Sequence, residues 1–238
     1  GAMILTLAGV IVKIIGAFSK VLIARILGGE GIGLYMMAYP IYQIIVSISA
    51  AGIPVAISIM IAEKLANRDM RGVQQVFNVS LRVLTLVGIV FSVGLYTSAE
   101  WLIKWNIITD PRALIPIQLL SPAIIVVTIL SCFRGYFQGF QYMVPTGTSQ
   151  VFEQIFRVGS MVGLAYYFID SGLHLAAGGA TFATFPGVLA GLIVLVYFYR
   201  SQRGLRQQMI CEQNEEAPIE TNAAVIKRLF ALAIPVSM

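Results

Sequence analysis

Long apolar runs, separated by short polar segments, limit most strongly what this chain can fold into. The first runs from Ile4 to Leu27, and comparable runs follow along most of the sequence. The hydrocarbon core of a bilayer is about 30 Å thick and needs about 20 apolar residues per helix, so each run can cross it. The chain is 58% hydrophobic and only 11% charged, whereas soluble domains carry about 25% charged residues. The sequence therefore predicts an all-α membrane protein.

Six such runs and the beginning of a seventh can be placed. The second run is longer than one straight helix needs, so Pro40 and Pro54 are expected to kink it. A charged segment, residues 63–75, is expected to connect the second run to the third. The predicted spans are Ile4–Leu27, Ile32–Ala62, Val76–Leu102, Arg112–Phe133, Pro145–Ile169 and Leu175–Tyr199.

This order divides the chain into three parts. Residues 1–199 are expected to form a six-helix transmembrane bundle, and residues 200–222 a polar cytoplasmic connector. Residues 223–238 begin another apolar helix and stop after about two-thirds of a span, so the sequence is expected to be a fragment. The residues Gly1-Ala2-Met3 are either a tag remnant or an internal start in a longer gene. The first run is too long for a cleavable signal peptide.

Lysine and arginine residues are distributed unequally between the two sides of the predicted bundle. If the N-terminus is cytoplasmic, nine of them lie on the inner side and three on the outer side. Cytoplasmic loops carry such an excess, so we expect a multi-pass protein of a bacterial plasma membrane with its N-terminus inside. The inner residues are Lys64, Arg68, Arg71, Arg134, Arg200, Arg203, Arg206, Lys227 and Arg228; the outer ones are Arg25, Lys104 and Arg112.

Motifs of catalysis are not apparent in the sequence. It has no Walker loop, zinc-ligand spacing, Ser/His/Asp set or dinucleotide fingerprint. We therefore expect no enzymatic activity, no cofactor, no metal and no nucleic-acid partner. Cys132 lies in an apolar run and Cys211 in the polar connector, so no disulfide between them is expected.

Two lysines in the first span are the clearest candidates for function. Lys13 lies about 14 Å into the span at 1.5 Å per residue, too deep to reach water comfortably, so it should face a bundle interior or a wet cavity. Lys20 follows seven residues later and falls on the same stripe of the helix. Arg25 lies near the outer end on a different face, where it serves either as an anchor or as a substrate contact.

Polar side chains also share one face of the fifth span. Glu153 and Arg157 are spaced i,i+4 with the acid first, the better order for a pair within a helix. One interpretation is a self-neutralising pair that only tolerates burial; the neighbouring amides instead indicate a polar lining. The predicted face consists of Gln150, Glu153, Gln154 and Arg157.

Two further residues have alternative interpretations. Arg134 is expected at the cytoplasmic end of the fourth span, where an anchoring role and a substrate role are equally compatible with its position. Tyr39, near the start of the second span, is either an ordinary interfacial tyrosine or part of a cavity wall.

The balance of these buried charges distinguishes classes of transporter. The deep cations are Lys13, Lys20 and Arg157, against one acid, Glu153. An exporter of cationic drugs needs unpaired carboxylates, whereas a cationic cavity suits an anion such as a phosphate or pyrophosphate head group. Long apolar spans with no soluble domain suggest that this substrate is amphiphilic.

Two segments carry a resemblance to a known family. ARILGGEGIGLY (Ala24–Tyr35) and RGYFQGFQYMVPTGTSQVFEQIFRV (Arg134–Val158) resemble the polysaccharide-biosynthesis and stage V sporulation protein B group. This group belongs to the multidrug/oligosaccharidyl-lipid/polysaccharide exporter superfamily, alongside the MurJ lipid II flippases. The resemblance implies about fourteen helices in two six-helix lobes plus a terminal pair, working by alternating access. Only the N-terminal lobe and the start of the seventh helix would then be present.

The resemblance extends to individual positions. Lys13 falls where the MurJ pattern implies a cavity arginine, and Arg25 matches the arginine at the end of the first helix. Ser19 occupies a second arginine position, with Lys20 beside it. The chain departs from the pattern at Tyr35, where an acidic residue is implied, and at residues 43–49, where paired arginines are implied.

Residues and resemblance together predict a flippase for a lipid-linked oligosaccharide such as lipid II, in envelope or spore-cortex synthesis. Its partners would be a polyprenyl-pyrophosphate-linked sugar, the bilayer and the missing C-terminal lobe. The expected substrate-binding residues are Lys13, Lys20, Arg25, Tyr39, Arg134, Gln150, Glu153, Gln154 and Arg157.

Two alternatives to the flippase remain open. A cation-coupled multidrug exporter of the same fold would depend on Glu153 alone among these charges. A non-transporting scaffold for envelope or spore assembly would have no cavity, with Lys13 and Glu153 packed against protein partners.

Overall fold

The computed structural model describes residues 2–50, 52–204 and 220–237. Over these residues the chain forms α-helices and two single-turn 3-10 helices, with no β-strand. The predicted all-α fold class is therefore confirmed. The helices in chain order are α1 (Ala2–Ala50), α2 (Ile53–Ala66), α3 (Met70–Lys104), α4 (Leu114–Gly139), α5 (Val144–Phe168), α6 (Leu173–Phe182), α7 (Thr184–Ser201) and α8 (Asn222–Ser237).

Helix α1 is broken at Gly28, where the sequence predicts the end of the first span. Gly28 has φ 65° and ψ −174°, so α1 consists of two helices that meet at this residue. A positive φ is costly for a residue with a side chain, and glycine avoids that cost. We call residues 2–27 the first half of α1 and residues 29–50 its second half.

The predicted second span is interrupted at Gly52. This residue has φ 73°, and α2 starts immediately after it, with Pro54 in its first turn. A proline there loses no helical hydrogen bond, so Pro54 begins a helix and does not kink one. A Cβ on Gly52 would lie 2.3 Å from the carbonyl oxygen of Ala233, so the close approach of α8 also requires glycine.

The charged segment 63–75 is helical over most of its length, which corrects the prediction of a connector. Helix α2 continues to Ala66 and α3 begins at Met70, so only a short turn separates them. Asp69 caps α3 by accepting a hydrogen bond of 2.7 Å from the backbone N–H of Gly72. It also lies 3.3 Å from the ammonium group of Lys64. These contacts satisfy the helix ends, so no long loop is needed.

The predicted sixth span consists of two helices, α6 and α7, which meet at Ala183. Pro186 lies in the first turn of α7 and has no N–H to donate to the carbonyl of Phe182, so the helix is interrupted here. Residues 205–219, with Cys211, lie outside the described residues, and Cys132 is buried. The predicted absence of a disulfide between the two cysteines stays a prediction.

Helix α4 lies at the centre of the bundle. It packs against α1, α2, α3, α6 and α7 and contributes to two hydrophobic clusters. One cluster joins it to α2, α3, α7 and α8, and the other to α1, α3, α5 and α6. Helix α5 packs mainly on α1, α6 and α7. An aromatic group with ring centroids 4.9–5.5 Å apart stabilises the first cluster; it consists of Phe77, Phe133, Tyr136 and Tyr199.

Within the described residues, four helical stretches are long and apolar enough to cross a membrane. The first has 64 residues and contains the break at Gly28, so it provides two crossings. Helix α5 is not among the four, because charged and amide side chains interrupt its apolar sequence. The four stretches are Met3–Ala66, Met70–Lys104, Pro111–Gly139 and Leu173–Ser201.

Ion pairs of Arg112 hold the loop between α3 and α4 in place. Its guanidinium lies 2.8 Å from the carboxylate of Asp110 and 2.7 Å from that of Glu30. Hydrogen bonds from the side chain and the backbone N–H of Arg112 hold the pKa of Asp110 below its usual range. Exposed pairs of this kind contribute little to stability, but they connect the loop to the second half of α1.

Candidate functional site

A cleft of about 450 Å³ lies between α1 and α5. Three cations, Lys13, Lys20 and Arg157, border it, and no carboxylate does so among the described residues. Both halves of α1 contribute, because the break at Gly28 places them side by side against α5. The other polar residues of the lining are Ser19, Tyr35, Tyr39 and Gln154. The cleft therefore has the charge that suits an anion.

Lys13 and Lys20 are exposed at the cleft. They lie seven residues apart, which places both on one face of the first half of α1. Neither makes an ion pair or hydrogen bond with the part of the chain that the structure describes. A lysine with no protein partner in a membrane-spanning helix is costly, so both ammonium groups are available to a ligand.

The first half of α1 packs closely against α5 beside the cleft. A Cβ on Gly16 would lie 3.2 Å from the side-chain nitrogen of Gln154, which is buried. Ser19 donates a hydrogen bond of 2.7 Å to the carbonyl of Gly16. The close approach of Gly16 on α1 to Gln154 on α5 sets the position of the lysine face relative to Arg157.

Glu153 is held by two arginines. Its carboxylate accepts a hydrogen bond of 2.7 Å from Arg134 on α4 and a second from Arg157, one turn further along α5. The side chains of Arg134, Glu153 and Arg157 are 20%, 14% and 23% exposed, so water screens them only in part. We call these residues the Arg–Glu–Arg triad, whose net charge is +1.

The triad leaves donors unused. The Nε atoms of Arg134 and Arg157 are buried and lack a hydrogen-bond partner among the described residues. Arg157 borders the cleft, whereas Glu153 and Arg134 do not. An anion in the cleft can reach the exposed part of the Arg157 side chain but not its buried Nε, while Arg134 continues to hold Glu153 in place.

Of the other predicted site residues, one borders the cleft and two lie outside it. Tyr39 borders the cleft, stacks on Tyr35 with centroids 5.4 Å apart, and accepts a hydrogen bond of 2.8 Å from Gln43. Gln150 is half-buried and Arg25 is exposed, and neither borders the cleft. Tyr35 is absent from the predicted site residues, although its spacing of four residues from Tyr39 places the two tyrosines on one helix face.

Two glycines of α7 allow α5 to approach at the triad. A Cβ on Gly187 would lie 2.7 Å from Arg157 Cβ and 3.0 Å from the carbonyl oxygen of Glu153. A Cβ on Gly191 would lie 3.2 Å from Glu153 Cβ. With a spacing of four residues, both glycines lie on one face of α7, as small residues do at helix contacts in membranes.

Gly187→Ala is therefore expected to lower the free energy of unfolding by about 1–3 kcal/mol, because α5 must move away from α7. Gly159→Ala is the matched control, since a Cβ at Gly159 on α5 meets no atom within 4 Å. The control is expected to be neutral or to stabilise by up to about 1 kcal/mol. Thermal unfolding of the full-length protein in detergent measures both, and equal melting temperatures for the two variants would contradict this account of the helix contact.

Known proteins with similar sequences support the predicted family. The chain matches the family described as "Polysaccharide biosynthesis protein" over residues 1–231. Stage V sporulation protein B of Bacillus subtilis (strain 168) is 33% identical over 206 residues, which cover 87% of this chain and 40% of the relative. The lipid II flippase MurJ of the same strain is 28% identical over 245 residues, 99% of this chain and 45% of the relative. The chain thus spans less than half the length of these relatives.

Solved structures show the same fold. A crystal structure of MATE in complex with MaD3S has a TM-score of 0.74 and 17% identity, covering 99% of this chain and 52% of the other. A MOP superfamily transporter from Pyrococcus furiosus has a TM-score of 0.71 and 16% identity, covering 99% and 51%. The predicted single lobe of a transporter fold is thereby confirmed. With its apolar helices and a family match over residues 1–231, the chain is a multi-pass membrane protein that belongs to the polysaccharide biosynthesis protein family.

Proposed function

We propose that this chain is one lobe of a flippase that moves a lipid-linked oligosaccharide, of the lipid II type, across a bacterial plasma membrane. The observation that carries the proposal is the cleft between α1 and α5, bordered by three cations and by no carboxylate among the described residues. The flippase named among the relatives, at 28% identity, supports the same class of substrate.

The cleft suits the polar part of such a substrate. A pyrophosphate presents several anionic oxygens, and ammonium and guanidinium groups are its strongest hydrogen-bond donors in proteins. Tyr35, Tyr39 and Gln154 offer neutral groups to the attached sugar. Exposed apolar side chains such as Ile14 and Phe18 lie beside Lys13 on α1, and the polyprenyl tail would remain in contact with this apolar surface.

Alternating access requires a second wall for the cleft. The relatives are more than twice as long as the matched part, so we propose that a C-terminal lobe of the same chain closes the cleft from the opposite side. Rocking of the two lobes would open it first to one face of the membrane and then to the other. The excess of lysine and arginine in the inner segments supports a cytoplasmic N-terminus.

The triad favours the flippase over a drug exporter. An exporter of cations needs a carboxylate that is free to attract them, but Glu153 already accepts hydrogen bonds from two arginines and does not border the cleft. A scaffold without transport predicts no cleft and a packed Lys13. The exposed Lys13 at the border of the cleft therefore favours a transporter.

Transport by purified full-length protein in liposomes tests this function. We expect movement of a polyprenyl-pyrophosphate sugar, measured as the accessibility of its head group to an enzyme or quencher outside the vesicle. A polyprenyl sugar without phosphate is the matched control and should move much more slowly. Transport of a cationic dye with no movement of the pyrophosphate lipid would contradict the proposal and support the exporter.

A further inference from the structure

A second polar groove lies away from the cleft, between the N-terminal part of α3 and the start of α8. Its volume is about 370 Å³, and its lining includes Arg71, Gln74, Gln75, Asn78, Arg82 and Asn222. The α3 residues follow the spacing of one helix face, so the groove runs along the helix. None of these residues borders the cleft between α1 and α5, so the groove is a separate site.

Hydrogen bonds within the groove satisfy the side-chain nitrogens of two glutamines and the side-chain oxygens of two asparagines. The side-chain nitrogen of Gln74 donates to the amide oxygen of Asn78 (3.0 Å) and to the hydroxyl of Tyr199 (3.1 Å). The side-chain nitrogen of Gln75 donates to the amide oxygen of Asn222 (3.0 Å). Because the oxygens of both asparagines accept these bonds, their NH₂ groups remain as donors to a ligand.

The charge of the groove is positive. Arg82 is exposed and makes no ion pair or hydrogen bond with the residues that the structure describes. No carboxylate is among the described residues that line the groove, and Arg71 adds a second guanidinium. A fork of guanidinium donors beside amide donors matches a phosphate.

The position of Arg82 along α3 points to a lipid as the source of that phosphate. Trp101 and Trp105, 60% and 67% exposed, lie near the other end of α3, and tryptophan is typical of the membrane–water interface. Arg82 precedes Trp101 by 19 residues, or about 28 Å at 1.5 Å per residue, close to the hydrocarbon thickness of about 30 Å. The sequence between them carries no charged residue until Glu100. Arg82 therefore lies at the level of the lipid head groups on the side opposite the tryptophans.

We propose that the groove between α3 and α8 binds the phosphate of an anionic phospholipid, with Arg82 as its main contact. The asparagine NH₂ groups donate to the remaining phosphate oxygens. Since Asn78 belongs to α3 and Asn222 to α8, the bound lipid bridges the two helices and stabilises the contact of α8 with the lobe.

Lipid binding to the purified full-length protein tests this site. Native mass spectrometry with phosphatidylglycerol should show a bound lipid whose affinity falls about tenfold or more in Arg82→Gln, the loss expected for one charge-assisted contact. Arg82→Lys should retain most of the binding. Lys104→Gln removes an exposed cation at the other end of α3 and should bind like the unchanged protein.

Two further binding measurements distinguish a phospholipid from other sources of the phosphate. Phosphatidylcholine should bind at least tenfold more weakly than phosphatidylglycerol, because its choline group cancels the charge of the phosphate. Inorganic pyrophosphate at the same concentration should not displace phosphatidylglycerol. Displacement by pyrophosphate, or equal binding of phosphatidylglycerol to Arg82→Gln and to the unchanged protein, would overturn the proposal. Lys13→Gln should leave this binding unchanged, so failure of the flippase function would not be confused with failure of the lipid site.

Discussion

Lys13→Gln in the full-length protein is expected to reduce the apparent affinity for a pyrophosphate-linked lipid by about 10- to 100-fold. A hydrogen bond to a charged group contributes about 1.5–3 kcal/mol, and each 1.4 kcal/mol corresponds to a factor of ten. Lys13 makes no ion pair with the described part of the chain and is exposed at the cleft. The substitution should therefore leave the stability of the fold unchanged, so that a loss of transport reports on the ligand alone.

The matched control is Lys104→Gln, which removes the same charge at an exposed position outside the cleft. Transport should be measured in liposomes as a function of substrate concentration, and melting temperatures should be compared in detergent. Lys20→Gln should resemble Lys13→Gln, since both lysines lie on one helix face. Equal transport by Lys13→Gln and Lys104→Gln would show that the lysine face does not bind the substrate.

Local signals in the sequence were sufficient for much of the fold and for part of the cleft. The glycine pair after Leu27 predicts the break in α1, because a positive φ is easily adopted only by glycine. The spacing of seven residues between Lys13 and Lys20 places both on one face, and the structure shows both at the cleft. Spacing within α5 likewise predicts the pairing of Glu153 with Arg157, which the structure contains.

Contacts between helices cannot be predicted from such local signals. Arg134 precedes Glu153 by 19 residues on another helix, and its position near the end of an apolar run is also typical of an anchor. Helix periodicity predicts the polar face of α5 but not which part of that face borders a cavity, so Gln150 belongs to the predicted face although it lies outside the cleft. Periodicity also does not show that Tyr35, on another helix, borders the same cleft. The sixth span is divided at Ala183 because Pro186 interrupts the helix. The residues on both sides of Pro186 are apolar, so the sequence predicts one continuous helix there.

Replacing the shared carboxylate is expected to have the largest effect on stability. Glu153→Gln leaves Arg134 and Arg157 without a counter-ion in a partly buried position, and removing one partner of a buried ion pair costs about 3–5 kcal/mol. Since these side chains retain 14–23% exposure, we expect a value near the lower limit, about 3 kcal/mol. The measurement is thermal unfolding of the full-length protein in detergent, where the melting temperature should fall by several degrees.

Substitution of Arg134 separates the contributions of the two ion pairs of the triad to the free energy of unfolding. Arg134→Gln leaves the Glu153–Arg157 pair intact and should destabilise less than Glu153→Gln. In the double variant Arg134→Gln/Glu153→Gln only Arg157 remains charged, and it borders the cleft, so the double variant should be more stable than Glu153→Gln alone. A non-additivity of about 1–2 kcal/mol is expected for residues that share one network. Strict additivity of the two substitutions would show that the Arg134–Glu153 contact contributes nothing.

The Glu153→Gln variant also distinguishes an effect on stability from an effect on transport. In Glu153→Gln the carboxylate no longer competes for Arg157, so the affinity for a pyrophosphate lipid should be retained or increased at temperatures where the protein is folded. A cation exporter requires the opposite, because it would lose the acid on which attraction of its substrate depends. Glu153 would then be a structural counter-ion that keeps two arginines in place, and the cation excess of the cleft would be the property that selects the substrate.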